Sequence, residues 1–251
     1  MERNFIRWLR DRLPAHDCLR LGPGDDAAVL HLAGKDAVVT VDLLTEGVDF
    51  FLSETDPRRI GRKALAVNLS DLAAMAARPV AAVVALALPR SAGWGVVREM
   101  YEGMIPLAEE FDLAIAGGDT NTWDGPLALS VTAIGSPTSG GPLVRSGAKP
   151  GDAIVVTGRF GGSILGRSFD FTPRVREAIF LHERYTLHAG IDASDGLAID
   201  LARLAEESGC GAFLDLDAIP ISDDARRLTE VERNSAGAAS PTAMPLDHAL
   251  G

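Results

Sequence analysis

The run from Asp56 to Leu88, DPRRIGRKALAVNLSDLAAMAARPVAAVVALAL, constrains the fold more than any other stretch. Asp56 suits a helix N-cap, and Pro57 suits the first helical position, where its missing N–H would have no partner anyway. The pattern predicts a helix that stops at Arg78, because the residue before Pro79 disfavours helical backbone. VAAVVALAL then reads as a buried strand. A long helix feeding a buried strand belongs to an α/β layer. The neighbouring segments agree. DAVVTVD reads as a strand ending at Asp42, LAIAGGD as a strand ending at Asp119, and PLALSVTAIG as another. Phe5, Ile6, Leu9 and Leu13 fall near helical spacing, and SAGWGVVREMYEGMIPLAEEF reads as a helix bent near Pro106.

From Gly135 to Asp152 the chain turns rich in Gly, Pro and Ser, which marks a linker. A second α/β unit follows, with AIVVTG and AFLDLDAIP as strands and a helical stretch from Pro173 to Tyr185. It also holds an amphipathic helix on which Leu197, Leu201, Leu204 and Ala205 share a face and Gly209 caps the end. The expected domains are 1–137 and 138–251. The stretch from Val231 to Gly251 is weakly patterned.

Composition excludes several classes. A net charge of -11 argues against nucleic-acid partners, which need a cationic face. The apolar fraction of 47% supports a sizeable core. The two cysteines, Cys18 and Cys210, lack metal-type spacing and fit a reducing compartment, so a cytoplasmic location is expected. The N-terminus lacks a signal-peptide apolar block, and Val80–Leu88 is too short to span a bilayer as a helix, so no membrane association is expected.

The aspartates need a reason. Asp25 and Asp26 stand side by side in LGPGDDAAVL, after Gly22 and Gly24. Asp42 ends a strand, and Asp119 ends another beside Gly117 and Gly118. Asp71 lies mid-helix among Leu69, Leu72, Ala73 and Ala74, where an unpaired carboxylate costs several kcal/mol. Asp192 and Asp195 stand three apart in IDASDGL, at the entry to a helix whose first N–H groups favour anions. Each has a plain alternative. Strand-end aspartates serve as turn residues, Ser194 or Asp195 serves as a helix cap, and Asp71 pairs with Arg62, Lys63 or Arg78. As a set beside glycines they favour a magnesium site, since oxygen-only ligands without a His or Cys cluster suit a hard cation. TGRFGGS reads either as a phosphate turn or as a tight strand-to-helix turn, and it lacks the Walker Lys-Ser/Thr ending. Arg145 reads as a phosphate contact or a solvated loop residue. The histidines are scattered, with no zinc-helix motif, and read as surface residues.

LGPGDDAAV, KALAVNLSDLAAMAARP, AIAGGDT, RSGAKPGDAIVVTG and IDASDGLAIDLARLAEESGCGA, in this order, resemble the thiamine-monophosphate kinases of the aminoimidazole-ribotide-synthase-like superfamily. The resemblance covers nearly the whole chain. It implies two α/β units, with the N-terminal sheet forming a homodimer core, and transfer of phosphate from ATP to thiamine monophosphate. It implies Mg²⁺ held by Asp26, Thr40, Asp42, Asp71, Asp119, Asp192 and Asp195, and ATP contacts from Gly118, Asp119, Arg145 and Ser194. No general base is expected, since the acceptor is itself a phosphate.

The departures are local. Val41 stands where the family usually has Thr. Asp49, in TEGVDFF, stands where the family has a substrate-contacting His, so Asp49 is the expected acceptor contact and opens acceptor choice to question. SFDFTPRVREA lacks the usual His before its Pro-Arg. The family continues past DHALG into a Gly-Gly-Glu-Asp-Tyr-Glu-Leu segment, so the resemblance implies a C-terminally truncated second unit. Two alternatives follow: another ATP-dependent enzyme of the superfamily with a different acceptor, and a non-catalytic nucleotide-binding remnant.

Overall fold

The structure is a computed structural model, described for residues 2–14, 16–236 and 244–250. Its elements in chain order are α1 (Glu2–Arg12), β1 (Leu19–Leu21), β2 (Ala28–Leu32), β3 (Lys35–Thr45), α2 (Pro57–Ala74), β4 (Ala77–Pro89), α3 (Trp94–Glu110), β5 (Ala114–Trp123) and β6 (Ala128–Pro137). They continue with α4 (Arg167–Asp170), α5 (Val175–Arg184), α6 (Leu197–Ser208), α7 (Asp223–Ala236) and α8 (Asp247–Leu250). The chain divides into two compact units, Met1–Leu143 with Phe169–Thr186, and Val144–Ser168 with Leu187–Gly251. The linker region is thus shared between units, and residues 169–186, which include α5, return to the first.

The first unit is built on one six-stranded sheet, ordered β1-β2-β3-β6-β4-β5. Neighbours are antiparallel except β4 and β5, which α3 joins as a parallel pair. Along β3, β4 and β6 alternate residues are buried: Val38, Thr40 and Leu44; Ala82, Val84, Leu86 and Leu88; Leu129, Val131 and Ala133. This face carries α2, which packs on β3, β6 and β4. The opposite face leaves Val41, Leu43, Val83 and Ile134 exposed.

Local chemistry explains how α2 begins. The Asp56 carboxylate accepts the Arg58 N–H at 2.8 Å, and Pro57 follows in the first turn. Its buried residues, among them Ile60, Ala64, Leu65, Leu69 and Leu72, recur at helical spacing. Against α3 the backbones touch. A Cβ on Gly61 would sit 2.0 Å from the Met100 carbonyl oxygen, and one on Gly103 1.8 Å from that of Arg58.

The end of α2 departs from the expectation. The helix stops at Ala74, not Arg78, and the Met75 N–H satisfies the carbonyls of Asp71 and Ala73. Ala76 takes a left-handed conformation (φ 49°), which costs an L-residue roughly 1–2 kcal/mol and turns the chain directly into β4. Pro79 therefore lies inside a strand, at the pairing irregularity between Pro79 and Ala81, where a missing N–H is tolerated. Pro106 likewise sits within a continuous α3. β5 runs on past Asp119 to Trp123.

In the second unit neither expected strand forms. AIVVTG and AFLDLDAIP take no ladder position, and Leu216–Ala218 closes a 3₁₀ turn instead. Val155 and Phe213 are exposed. Apolar sequence alone does not make a strand; a hydrogen-bonded neighbour does. The one bridge nearby joins Phe160 to Ile221, with Phe160 N–H to the Pro220 carbonyl and Ser222 N–H to the Phe160 carbonyl, both 2.8 Å. RFGGS is a packing turn here. A Cβ on Gly161 would meet the Ala225 side chain at 2.8 Å, and one on Gly162 the Asp224 backbone at 2.3 Å. The core of this unit gathers Leu197, Ile219 and Ala249 with Phe160, Leu214, Ile221, Leu246 and Leu250. Gly209 caps α6 in the left-handed conformation, as its position suggested.

Candidate active site

On β3, the period of two puts Thr40 on the helix-covered face. Thr40 is 7% exposed, and its hydroxyl lies 2.5 Å from Asp71 Oδ2 and 3.3 Å from the Asp26 carbonyl oxygen. A hydroxyl has one proton to give, and the closer, charged acceptor takes it. The bases within sequence reach of Asp71 have other partners. Arg62 donates to the carbonyls of Phe169 and Phe171, Lys63 to that of Asp49, and Arg78 pairs with Glu183.

Asp26 is 8% exposed, and one of its carboxylate oxygens lies within 4.8 Å of one on Asp71. At that separation two unit charges repel by roughly 3–4 kcal/mol at an effective dielectric of 20. The Gly-rich turn before it is dictated by Arg10. Gly24 has φ 117°, and a Cβ there would overlap the Arg10 guanidinium, whose Nε donates to the Pro23 carbonyl. The adjacent acids divide their work, since Asp25 Oδ1 accepts the Asp26 N–H at 3.1 Å.

Asp42 sits two residues beyond Thr40 on the same face. Its Oδ2 is buried and has no hydrogen-bond partner among the described residues. Burial, and then the charge of Asp49, push its pKa up. Asp49 holds its own turn, with Oδ2 accepting the Thr45 N–H at 2.7 Å and lying 3.4 Å from the Thr45 hydroxyl. Lys63 Nζ donates to the Asp49 carbonyl at 3.2 Å, and burial lowers its pKa against the pull of Asp49.

Oxygen donors only, two carboxylates close together and one orphaned buried carboxylate oxygen fit a hard divalent cation such as Mg²⁺. Asp119 is placed differently. It is exposed on the edge strand β5, and its Oδ1 accepts the Thr120 N–H at 2.9 Å. The glycines before it make a bulge. Gly117 has φ 141°, a Cβ on Gly118 would lie 1.8 Å from the Val84 carbonyl oxygen, and the β4–β5 register shifts at Ala82/Val83.

In the second unit, Asp192, Ser194 and Asp195 occupy the loop that enters α6. Neither Ser194 nor Asp195 caps the helix. The N-cap is Gly196 (φ 112°), without a side-chain cap. The N–H groups of Ser194 and Asp195 reach Asp200 Oδ2 at 3.0 and 2.9 Å, and the Asp195 carboxylate pairs with Arg203. Asp200 and Arg203 escape a sequence reading because charged residues on an amphipathic helix look solvated. The available signal was an acid in the first turn, able to reach back to preceding amides. The Arg145 carbonyl accepts the Ser208 hydroxyl at 2.8 Å, which fixes that segment. The histidines, expected as scattered surface residues, are in part tied locally: His31 to Asp36, His188 to Asp152, His182 to Thr138 and His248 to Glu232.

Residues 24–136 match the N-terminal domain of AIR synthase related proteins, which sets the class of the first unit. A thiamine-monophosphate kinase of Rhodopirellula baltica is 41% identical over 257 residues, covering 99% of this chain and 78% of that protein. The thiamine-monophosphate kinase of Escherichia coli K12 is 36% identical over 238 residues, covering 86% and 71%. Among solved structures, AaThiL complexed with AMPPCP and TMP superposes with a TM-score of 0.86 at 26% identity, over 99% of this chain and 81% of that one. The thiamine-monophosphate kinase of Stenotrophomonas maltophilia K279a gives 0.74 at 37% identity, over 98% and 80%. The chain belongs to the thiamine-monophosphate kinase family. No helix among the described residues is long and apolar enough to cross a membrane.

Proposed function

We propose that this chain transfers the γ-phosphoryl group of ATP to thiamine monophosphate, giving thiamine diphosphate and ADP. The observation that carries this reading is the likeness, over 99% of the chain, to a solved relative complexed with AMPPCP, an ATP analogue, and TMP. In this reading Asp26, Thr40, Asp42, Asp71, Asp119, Asp192 and Asp195 hold Mg²⁺, while Gly118, Asp119, Arg145 and Ser194 contact ATP. When bound, Mg²⁺ supplies charge neutralisation to the transferring phosphates.

The residues' own tasks follow from charge. The acceptor phosphate is already a nucleophile, so no base is needed. The obstacle is repulsion between anions, about 4 kcal/mol per unit pair at ~4 Å and an effective dielectric of 20. Arg145 offsets part of it, and Gly118, whose lack of a Cβ serves its packing on Val84, offers a phosphate its backbone. Asp49 meets the acceptor on the side of its cationic thiazolium. Val41, Leu43, Val83 and Ile134, exposed on the sheet, form the face on which two copies pair as a homodimer. The paired Cys-poor chain works in the cytoplasm.

Product analysis with ATP, Mg²⁺ and thiamine monophosphate tests the reaction, with thiamine diphosphate and ADP in equal amounts expected. Asp71→Asn should lower turnover by at least about 100-fold while the fold persists. Binding of MgATP without turnover would support the non-catalytic remnant instead, and turnover only with another phosphorylated or carboxylate acceptor would replace the thiamine reading.

A further inference from the structure

Loops rich in glycine and short polar residues are mobile unless something ties their amides down. The loop 192–196 is of this kind: Ser194 and Asp195 are exposed, and Gly196 at φ 112° offers no side-chain cap. Yet it is anchored. Asp200, only 2% exposed, sits in the first turn of α6 and turns its carboxylate back toward the loop. Oδ2 accepts the N–H of Ser194 at 3.0 Å and of Asp195 at 2.9 Å. Oδ1 pairs with Arg203 at 2.8 Å, and the same guanidinium nitrogen reaches the Asp195 carboxylate at 2.5 Å. One buried acid therefore fixes two backbone amides directly and one loop carboxylate through Arg203.

We propose that Asp200 is a positioning residue: together with Arg203 it holds the loop 192–196 in the shape that presents Ser194 and Asp195 to the nucleotide and its cation. The proposal rests on the reading of Ser194 and Asp195 as ligand-contacting residues. The arrangement is costly in itself, because burial raises the pKa of Asp200, opposed by the two amide donors and Arg203. A buried acid with both oxygens engaged by a loop and a bridging cation is over-built for helix capping. One acceptor oxygen near the first turn suffices for that. Groups that orient ligating residues commonly matter 10–100-fold in affinity though they touch no ligand.

The test uses the full chain. Amide hydrogen exchange of the ligand-free protein should show Ser194 and Asp195 protected despite their exposure. Asp200→Ala, which removes both acceptor oxygens, should lose this protection. It should also weaken binding of AMPPCP with Mn²⁺, measured by calorimetry, by about tenfold or more, with the melting transition still cooperative. Arg203→Lys keeps the charge but loses the planar fork, and should weaken binding while keeping the two amides protected. It carries the test should Asp200→Ala fail to fold. Wild-type affinity in folded Asp200→Ala, or in Arg203→Lys where that variant carries the test, overturns the proposal, provided Ser194→Ala and Asp195→Asn do weaken binding. If those two also bind as the wild type does, the reading of the loop as a ligand site has failed, and the positioning role falls with it. Retained protection in Asp200→Ala overturns the anchoring itself.

Discussion

Thr40→Val isolates the contact that joins sheet to helix at the candidate site. The Thr40 hydroxyl is buried, and its proton goes to Asp71 Oδ2 at 2.5 Å. Valine nearly matches the shape and removes only the donor. A hydrogen bond to a charged group contributes about 1.5–3 kcal/mol, and the added methyl returns up to about 0.8 kcal/mol of apolar burial. The net loss is therefore about 1–2 kcal/mol. For a chain of this size each kcal/mol moves the midpoint by about 2–4 °C, so the melting temperature in EDTA should fall by about 2–8 °C. Thr40→Ser, which keeps the hydroxyl, should fall by less. Kinase turnover should drop in the valine variant and largely return in the serine variant, because the lost donor also orients Asp71. Calorimetric melts with EDTA and with Mg²⁺, beside product formation at saturating ATP, read both. A valine variant that melts at the wild-type temperature in EDTA and turns over normally would refute the reasoning, since the hydroxyl would then hold nothing.

Two further perturbations follow from the same geometry. Asp42 has a pKa raised by burial and by Asp49, so its ionisation penalises the folded state as pH rises from the ordinary value of 3.8 through the higher folded one. Asp42→Asn in EDTA should therefore melt a few degrees higher near pH 7, on the order of 1 kcal/mol, with the advantage fading toward pH 4; a variant less stable than wild type at neutral pH would overturn this. Gly103→Ala would set a Cβ 1.8 Å from the Arg58 carbonyl oxygen. Despite alanine's better helix propensity of about 1 kcal/mol, it should destabilise by about 1–3 kcal/mol in urea titration, and unchanged stability would show that α2 and α3 separate freely.

What could be read in the sequence was whatever is decided within one turn of chain. Asp56 and Pro57 announce the start of α2 because capping is local, and Asp71 stands out because a carboxylate on an apolar face needs a partner. The end of α2 was invisible: Ala76 adopts a left-handed conformation that glycine or asparagine would have signalled. AIVVTG has the composition of a strand, but pairing depends on a neighbour that no window of sequence contains. Asp26 and Asp71 could be suspected singly, whereas their approach within 4.8 Å is a product of the sheet and α2 packing together.

The same distinction separates the two kinds of acid in the molecule. Asp42 is conspicuous in sequence and keeps a buried oxygen without a partner, while Asp200 is inconspicuous and has every oxygen engaged. Burial raises the pKa of both, so it is the hydrogen bonding that differs: an acid whose acceptors are filled by its own chain holds shape, and one with an open buried acceptor has room for a donor or cation from outside. By that measure Asp42 keeps an acceptor open within the first unit, whereas Asp200 spends both of its oxygens on the loop that enters α6 and on Arg203.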